Sequence, residues 1–281
     1  MISTNPFSEL AAFIPPAAMQ IYVVAMILLV IAGVLIDVMH KKSAKYFFEN
    51  AKKQEKNARR SVSSGEKVGL AVQTIVGEVL TSSEFSHRGE QQRRVSHLLT
   101  MYGFIVFVVA TAVLIFAHPT SGEAGIWPLL WHLGALSLAV GGYWFWFFIR
   151  VDVSAEGNPW YRVVRADLFI VSLLAMATFA LLWSFTQGSA IGWLFFVLFI
   201  AASTTLFSTV IWSKFAHMFF KPAAAYQKKV TKADGSQENL PDVGELTDPK
   251  LQARYPDIPE YMGTNPPNMG PGITREPPRH Y

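Results

Sequence analysis

Cysteine is absent from the 281-residue chain, which excludes disulfides, thiolate zinc sites, cysteine nucleophiles and iron–sulfur clusters held by this polypeptide. Any metal must therefore sit on histidine or carboxylate. Charge is scarce as well: Asp, Glu, Lys and Arg make up 16% of the residues, against about a quarter in an ordinary soluble domain. There is no phosphate loop, no nucleophile elbow and no pair of carboxylates within an apolar run, so the chain offers no catalytic residue and is not expected to be an enzyme by itself. No internal repeat is visible.

What is present is apolar: 51% of residues belong to the AVILMFWYC set, gathered into long uncharged runs rather than spread at helical or strand period. Five runs reach the roughly 20 residues that a hydrocarbon core requires, at about 17–39, 98–117, 127–149, 168–186 and 190–212. None contains Lys or Arg, and Asp37 is the only carboxylate inside these limits, one turn from the end of the first run, where water and headgroups are expected to reach it. The first run lacks a basic start and ends in His40-Lys41-Lys42, so it reads as a retained signal anchor rather than a cleaved leader. The expected fold is all-α: an integral membrane five-helix bundle over residues 1–221, followed by a Pro-rich extended cytoplasmic tail over 222–281.

The 24 basic residues set the orientation. Twelve fall between His40 and His97, three between Arg150 and Arg165, and nine from Lys214 onward. Cytoplasmic loops carry the Lys/Arg excess, so the loops 40–97 and 150–167 and the C-terminus are expected to face the cytoplasm from an inner (cytoplasmic) membrane, with the N-terminus and the turns at 118–126 and 187–189 outside. This topology accounts for the net charge of +4 without nucleic acid. Trp127, Trp131, Trp183 and Trp193 then fall at the outer interface and Trp212 at the inner one, as an aromatic belt.

Two cytoplasmic stretches stand apart. After Ser63-Ser64-Gly65, the residues Val68, Val72, Ile75, Val76 and Val79 recur at helical spacing opposite Glu66, Lys67, Gln73 and Glu78, the pattern of an amphipathic helix lying on the membrane or under a partner. Beyond Lys221 lie 10 of the 16 prolines and few aliphatic residues. Such a tail builds no core of its own, but Tyr255-Pro256-Asp257-Ile258-Pro259 and Tyr261-Met262-Gly263 supply anchors for wrapping along another protein.

Among the seven histidines, His97 opens the second run and His217 lies just past the fifth, both at the cytoplasmic level. Two neutral imidazoles at one depth on two helices can ligate a haem iron axially. Gly103 leaves room for a flat ring, and Arg93, Arg94, Lys214 and Lys221 are placed to pair with propionates. The alternative is a wetted interfacial histidine with no ligand role. His118 and His132 bracket the outer turn as a substitute ligand pair, a quinone-binding group or simple interfacial hydrogen-bonding groups. His40 is a headgroup anchor, an alternative ligand or a proton-handling group.

The string from Arg93 to Phe104, RRVSHLLTMYGF, and that from Trp212 to Pro222, WSKFAHMFFKP, resemble the haem-binding ends of the second and fifth helices in the respiratory nitrate reductase gamma-subunit family. That family includes cytochrome b subunits of sulfate-metabolism and heterodisulfide-reductase-like complexes. The resemblance extends from about Val68 to Ala224, through Leu133-Gly134-Ala135, Gly141-Gly142 and Asp167. It implies two b haems with ligands paired between the second and fifth helices. Here the inner pair maps onto His97 and His217, while the outer positions are Phe107 and Phe199, which cannot bind iron. One haem b, at the cytoplasmic face, is the expected cofactor, with quinone as a second small-molecule partner. The Pro-rich end, through Pro259-Glu260-Tyr261-Met262-Gly263 to Tyr281, looks most like the membrane anchor associated with dissimilatory adenylylsulfate reductase in sulfur oxidisers. That narrower likeness implies a cytoplasmic flavin and iron–sulfur oxidoreductase as partner and passage of its electrons to the quinone pool. A haem-free structural anchor and a gamma-type subunit of another nitrate or heterodisulfide reductase-like complex are the competing expectations. A transporter is disfavoured by spans without buried charge, proline breaks or repeats.

The orientation is directly testable: a reporter fused after Tyr281 should work only if it functions in the cytoplasm, and activity of an export-dependent reporter there would overturn the sidedness.

Overall fold

The computed structural model describes residues 2–41, 43–83, 91–149, 161–212, 217–236 and 249–254. Within them all regular structure is helical. A short helix α1 (Pro6–Leu10) precedes α2 (Pro16–Lys41) and α3 (Ser43–Lys56). Helix α4 (Ser64–Thr74) runs on into a π-helical turn at Ile75–Leu80. Then follow α5 (Gln91–Phe116), α6 (Trp127–Trp144) with a π extension at Phe145–Ile149, α7 (Leu168–Phe185), α8 (Ala190–Ser208), α9 (His217–Asp234) and α10 (Pro249–Arg254). Five of these helices, α2 and α5 to α8, are long and apolar enough to cross a membrane. They follow the five apolar runs to within a residue or two, except that α5 begins at Gln91 and α8 ends at Ser208, four residues short of the expected 212. His97 therefore sits two turns inside its helix and does not open it.

Small residues set the packing. A Cβ on Gly103 of α5 would lie 2.5 Å from the backbone N of Leu138 and 2.9 Å from the carbonyl of Gly134. One on Gly134 would lie 2.7 Å from the N of Phe107, and one on Gly141 would lie 2.8 Å from the carbonyl of Ser96. Backbones that meet this closely exchange dispersion contacts that bulkier side chains prevent, which is the main attraction available between helices in lipid. Hydroxyls complete the seam: Ser96 Oγ donates to the Gly141 carbonyl at 2.8 Å and Ser137 Oγ to the Leu99 carbonyl at 3.0 Å. Helix α7 joins α6 through Gly142, where Leu174 fills the space of the missing side chain. Helix α2 rides on α8, with Val210 against Gly33 and the Tyr22 hydroxyl 3.0 Å from Thr204 Oγ1. The outward faces of all five are apolar and exposed, as at Ile21, Ile27, Leu136, Phe148 and Val197. Only lipid makes such a surface favourable.

At one end of the bundle the N-terminal residues are inserted between the turns. Asn5, with no exposed surface, donates through Nδ2 to the carbonyls of His118 at 2.7 Å and Ser121 at 3.1 Å, while its Oδ1 caps α1 at Phe7 N. Gln187 Nε2 donates to the Pro6 carbonyl at 2.6 Å. The N-terminus and both predicted outer turns thus share one end, as expected. The opposite end gathers α3, α4 and α9: Gln227 Nε2 donates to Gln54 Oε1 at 2.9 Å, Lys229 Nζ lies 3.4 Å from Glu78 Oε1, and the amides of Arg59 and Arg60 donate to the Asp234 carbonyl. Arg60 also grips Glu66 with both terminal nitrogens, and these hydrogen bonds lower the Glu66 carboxyl below its ordinary value.

Three expectations change. The boundary at 221/222 falls inside α9, which continues through Pro222 to Asp234. Ala223-Ala224-Ala225 favour helix, the collar contacts hold it, and Gly235 at φ +76° ends it in the left-handed conformation. The anchors at Tyr255–Met262, with all of 255–281, lie outside the described residues. Trp131 and Trp183 are core residues at 0% and 4% exposure, not members of the interfacial belt. The Trp131 indole is satisfied inside, donating to Thr111 Oγ1 at 3.0 Å. Asp37, expected to be wetted, is only 3% exposed.

Replacing Gly134 by Leu should force α5 and α6 apart and lower stability by about 2 kcal/mol or more, read as a fall in the thermal midpoint of the detergent-solubilised chain. An unchanged midpoint would mean the seam does not hold the bundle.

Candidate functional site

The inner site is built around the start of α5. His97 is half-buried, and its Nδ1 lies 3.0 Å from Ser82 Oγ. Ser82 is fully buried and has φ +49°, a left-handed conformation that non-glycine residues seldom adopt. It follows the π turn, whose register is marked by the Thr81 amide donating to the Val76 carbonyl at 3.1 Å. Two neighbours of Ser82 also engage α5: Arg94 Nε donates to the Thr81 carbonyl at 2.9 Å, and the Tyr102 hydroxyl to the Leu80 carbonyl at 2.7 Å. The amphipathic segment is therefore tied down onto the turn of α5 that carries the histidine. Its outward stripe, Val68, Val72, Ile75, Val76 and Leu80, stays exposed.

His217 is the first residue of α9, the helix whose Lys229 meets Glu78 in that same π turn. Both histidines thus belong to elements that converge at the end opposite the N-terminus. Arg93 is half-buried near His97 in α5, and Lys221 is exposed on the first turns of α9. Lys214 lies outside the described residues. Gly103 is corrected: the space beside it is filled by the α6 backbone, so it serves the helix seam and leaves no bed for a flat ring.

The residues at this end fit a haem in their donor chemistry. One imidazole has its Nδ1 beside a hydroxyl, so Nε2 is the nitrogen that would ligate iron if a haem were bound. A second histidine begins a neighbouring element, and the cationic side chains of Arg93, Arg94 and Lys221 stand within these helices.

The outer half is different. Phe107 and Phe199, the residues at the outer ligand positions that the sequence resemblance implies, face each other with ring centroids 6.3 Å apart at 81°. Trp131 packs on Phe107 at 5.2 Å, Trp183 stacks on Phe199 at 5.9 Å, and the two indoles are 6.3 Å from each other. Phe7 of α1 closes the cluster against both tryptophans. The interior at this depth is packed with aromatic rings, and the residues do not fit a second haem.

Of the remaining histidines, His132 is buried at 4%. Its Nδ1 is 2.7 Å from the Pro128 carbonyl and its Nε2 2.6 Å from Ser184 Oγ. A carbonyl only accepts, so Nδ1 carries the proton and Nε2 accepts from the serine. Nδ1 is spent within α6 and Nε2 on joining α6 to α7, which leaves no ligand role. His118 contributes its carbonyl to Asn5, and His40 is exposed at the end of α2. His87 and His280 lie outside the described residues. Sequence reasoning missed Ser82, Asn5 and Phe7. A buried Ser in a left-handed turn carries no periodic signal, whereas Asn5 before Pro6 is a helix-cap pattern that a scan for short helices finds.

No family model, curated protein or solved structure matches this chain.

The double variant Phe107→His with Phe199→His should not gain a second haem, because Trp131 and Trp183 occupy the space. It should instead lose stability through buried imidazoles without partners, by about 1 to 3 kcal/mol for each. A doubled haem-to-protein ratio would show that the aromatic cluster yields.

Proposed function

We propose that this chain is the membrane anchor and electron-transfer subunit of an oxidoreductase complex, with one b haem held at the cytoplasmic face by His97 and His217. The observation that carries the reading is the Ser82-to-His97 hydrogen bond beneath a docked cytoplasmic segment, together with the convergence of the His217 helix on that segment. A haem bound there would supply one-electron redox chemistry within reach of the cytoplasm and of quinone dissolved in the bilayer. The protein's part is to hold the imidazoles, to exclude water with the spans, and to offer Arg93, Arg94 and Lys221 to negatively charged groups.

The partner follows from the sequence resemblance: a cytoplasmic flavin and iron–sulfur oxidoreductase, of the adenylylsulfate reductase kind, delivering electrons toward the quinone pool. The collar formed by α3, α4 and α9 is the surface on which it would sit, with the segment after Gly235 reaching along it. The sidedness assumed here rests on the distribution of Lys and Arg.

A second reading, a haem-free anchor for the same oxidoreductase, is favoured by the aromatic packing around Phe107 and Phe199, which leaves no second centre to carry electrons across a hydrocarbon core of about 30 Å. Replacing His97 or His217 by Ala should remove most of the haem absorbance from the purified chain. Wild-type absorbance in both variants would refute the ligand assignment, and a wild type without haem would establish the anchor.

Truncation should be made after Ser236, since α9 is part of the collar. Loss of residues 237–281, α10 included, should spare the five spans, α9 and any haem while reducing co-purification of the iron–sulfur partner from membranes. Equal recovery would move the docking element to the amphipathic segment.

A further inference from the structure

We infer that Ser82 is a positioning residue for His97, fixing which ring nitrogen faces the metal and how strongly it donates. The inference rests on the haem reading above and extends it to a residue on a different element.

Among the described residues, Ser82 is the one non-glycine residue in the left-handed region, at φ +49°. Strain of this kind persists only where the surroundings over-determine the conformation. Here they do so through three successive residues held by one helix: Leu80 through Tyr102, Thr81 through Arg94, and Ser82 through His97. The π turn just before them supplies the extra residue per turn that delivers Ser82 onto α5. The turn is buried at Ser82, so water does not replace the hydroxyl.

The chemistry follows from the inventory of donors. Ligation of iron through Nε2 of a neutral imidazole leaves the proton on Nδ1, so His97 donates and Ser82 Oγ accepts. Such a bond fixes the tautomer and the ring rotation and raises the basicity of the ligating nitrogen. A more basic ligand favours the ferric over the ferrous state, so the hydroxyl lowers the midpoint potential of the centre.

The test is a redox titration of the full-length chain, purified from membranes and reconstituted in nanodiscs, comparing wild type with Ser82→Gly and Ser82→Ala. Haem-to-protein ratio is measured first. Glycine removes the hydroxyl and accepts the positive φ without strain, whereas alanine removes the hydroxyl and keeps the strain. A wild type with one haem per chain and an upward shift of the midpoint in both variants is the expected result. Loss of haem from Ser82→Gly with unchanged helical circular dichroism supports the inference equally. A haem-loaded Ser82→Gly chain that titrates at the wild-type potential overturns it while leaving the haem reading intact, as does a shift confined to Ser82→Ala, which would trace to the backbone. A wild type without haem overturns the haem reading and this inference together.

Discussion

The close approach of α5 and α6 through Gly103, Gly134 and Gly141 is the constraint on which the other features rest. With no side chain between them, the two backbones come near enough for Ser96 and Ser137 to reach across to main-chain carbonyls. That seam fixes the rotation of α5 about its axis. The rotation in turn decides that Phe107 points into the bundle and that Arg94, His97 and Tyr102 meet the segment Leu80–Ser82. A helix free to turn would present none of these groups consistently.

The two halves of the bundle use buried aromatic and polar groups in opposite ways. In the half that holds the N-terminus, ring packing and the His132 bridge between Pro128 and Ser184 close the interior, with the Trp131 indole and both His132 nitrogens satisfied by protein. In the other half, polar groups arrive from outside the spans: Ser82, just past the π turn, meets the half-buried His97 imidazole, and Lys229 of α9 meets Glu78 within that turn. The first arrangement is a core. The second is a junction between the spans and the polar elements that lie beyond them.

The spans were legible because a bilayer demands one property, apolar length, that composition reports directly; the five runs and the five helices differ mainly at the start of α5. Parity of the loops was legible from charge. Burial within the spans was not: Trp131 and Trp193 have the same composition signature, yet one is core and the other partly exposed, since helix faces that look alike to lipid are distinguished only by which neighbour carries glycine. The helix through Pro222 was hidden by its proline, whose cost is outweighed by alanines and by contacts with α3 and α4 that lie far away in sequence. The site was half visible. His97 and His217 stand out by depth, but Ser82 becomes meaningful only once the π turn has brought it fifteen positions back along the chain onto His97.

The seating of Asn5 and Phe7 carries a consequence for biogenesis. These residues precede all five spans in the chain, yet their partners are the turn at His118–Gly122, the indoles of Trp131 and Trp183, and Gln187. The segment therefore stays unsatisfied until at least four spans have been inserted. Closure of this end of the bundle is then a late event in assembly, and a chain stalled before α7 is complete would leave Phe7 without the rings that cover it.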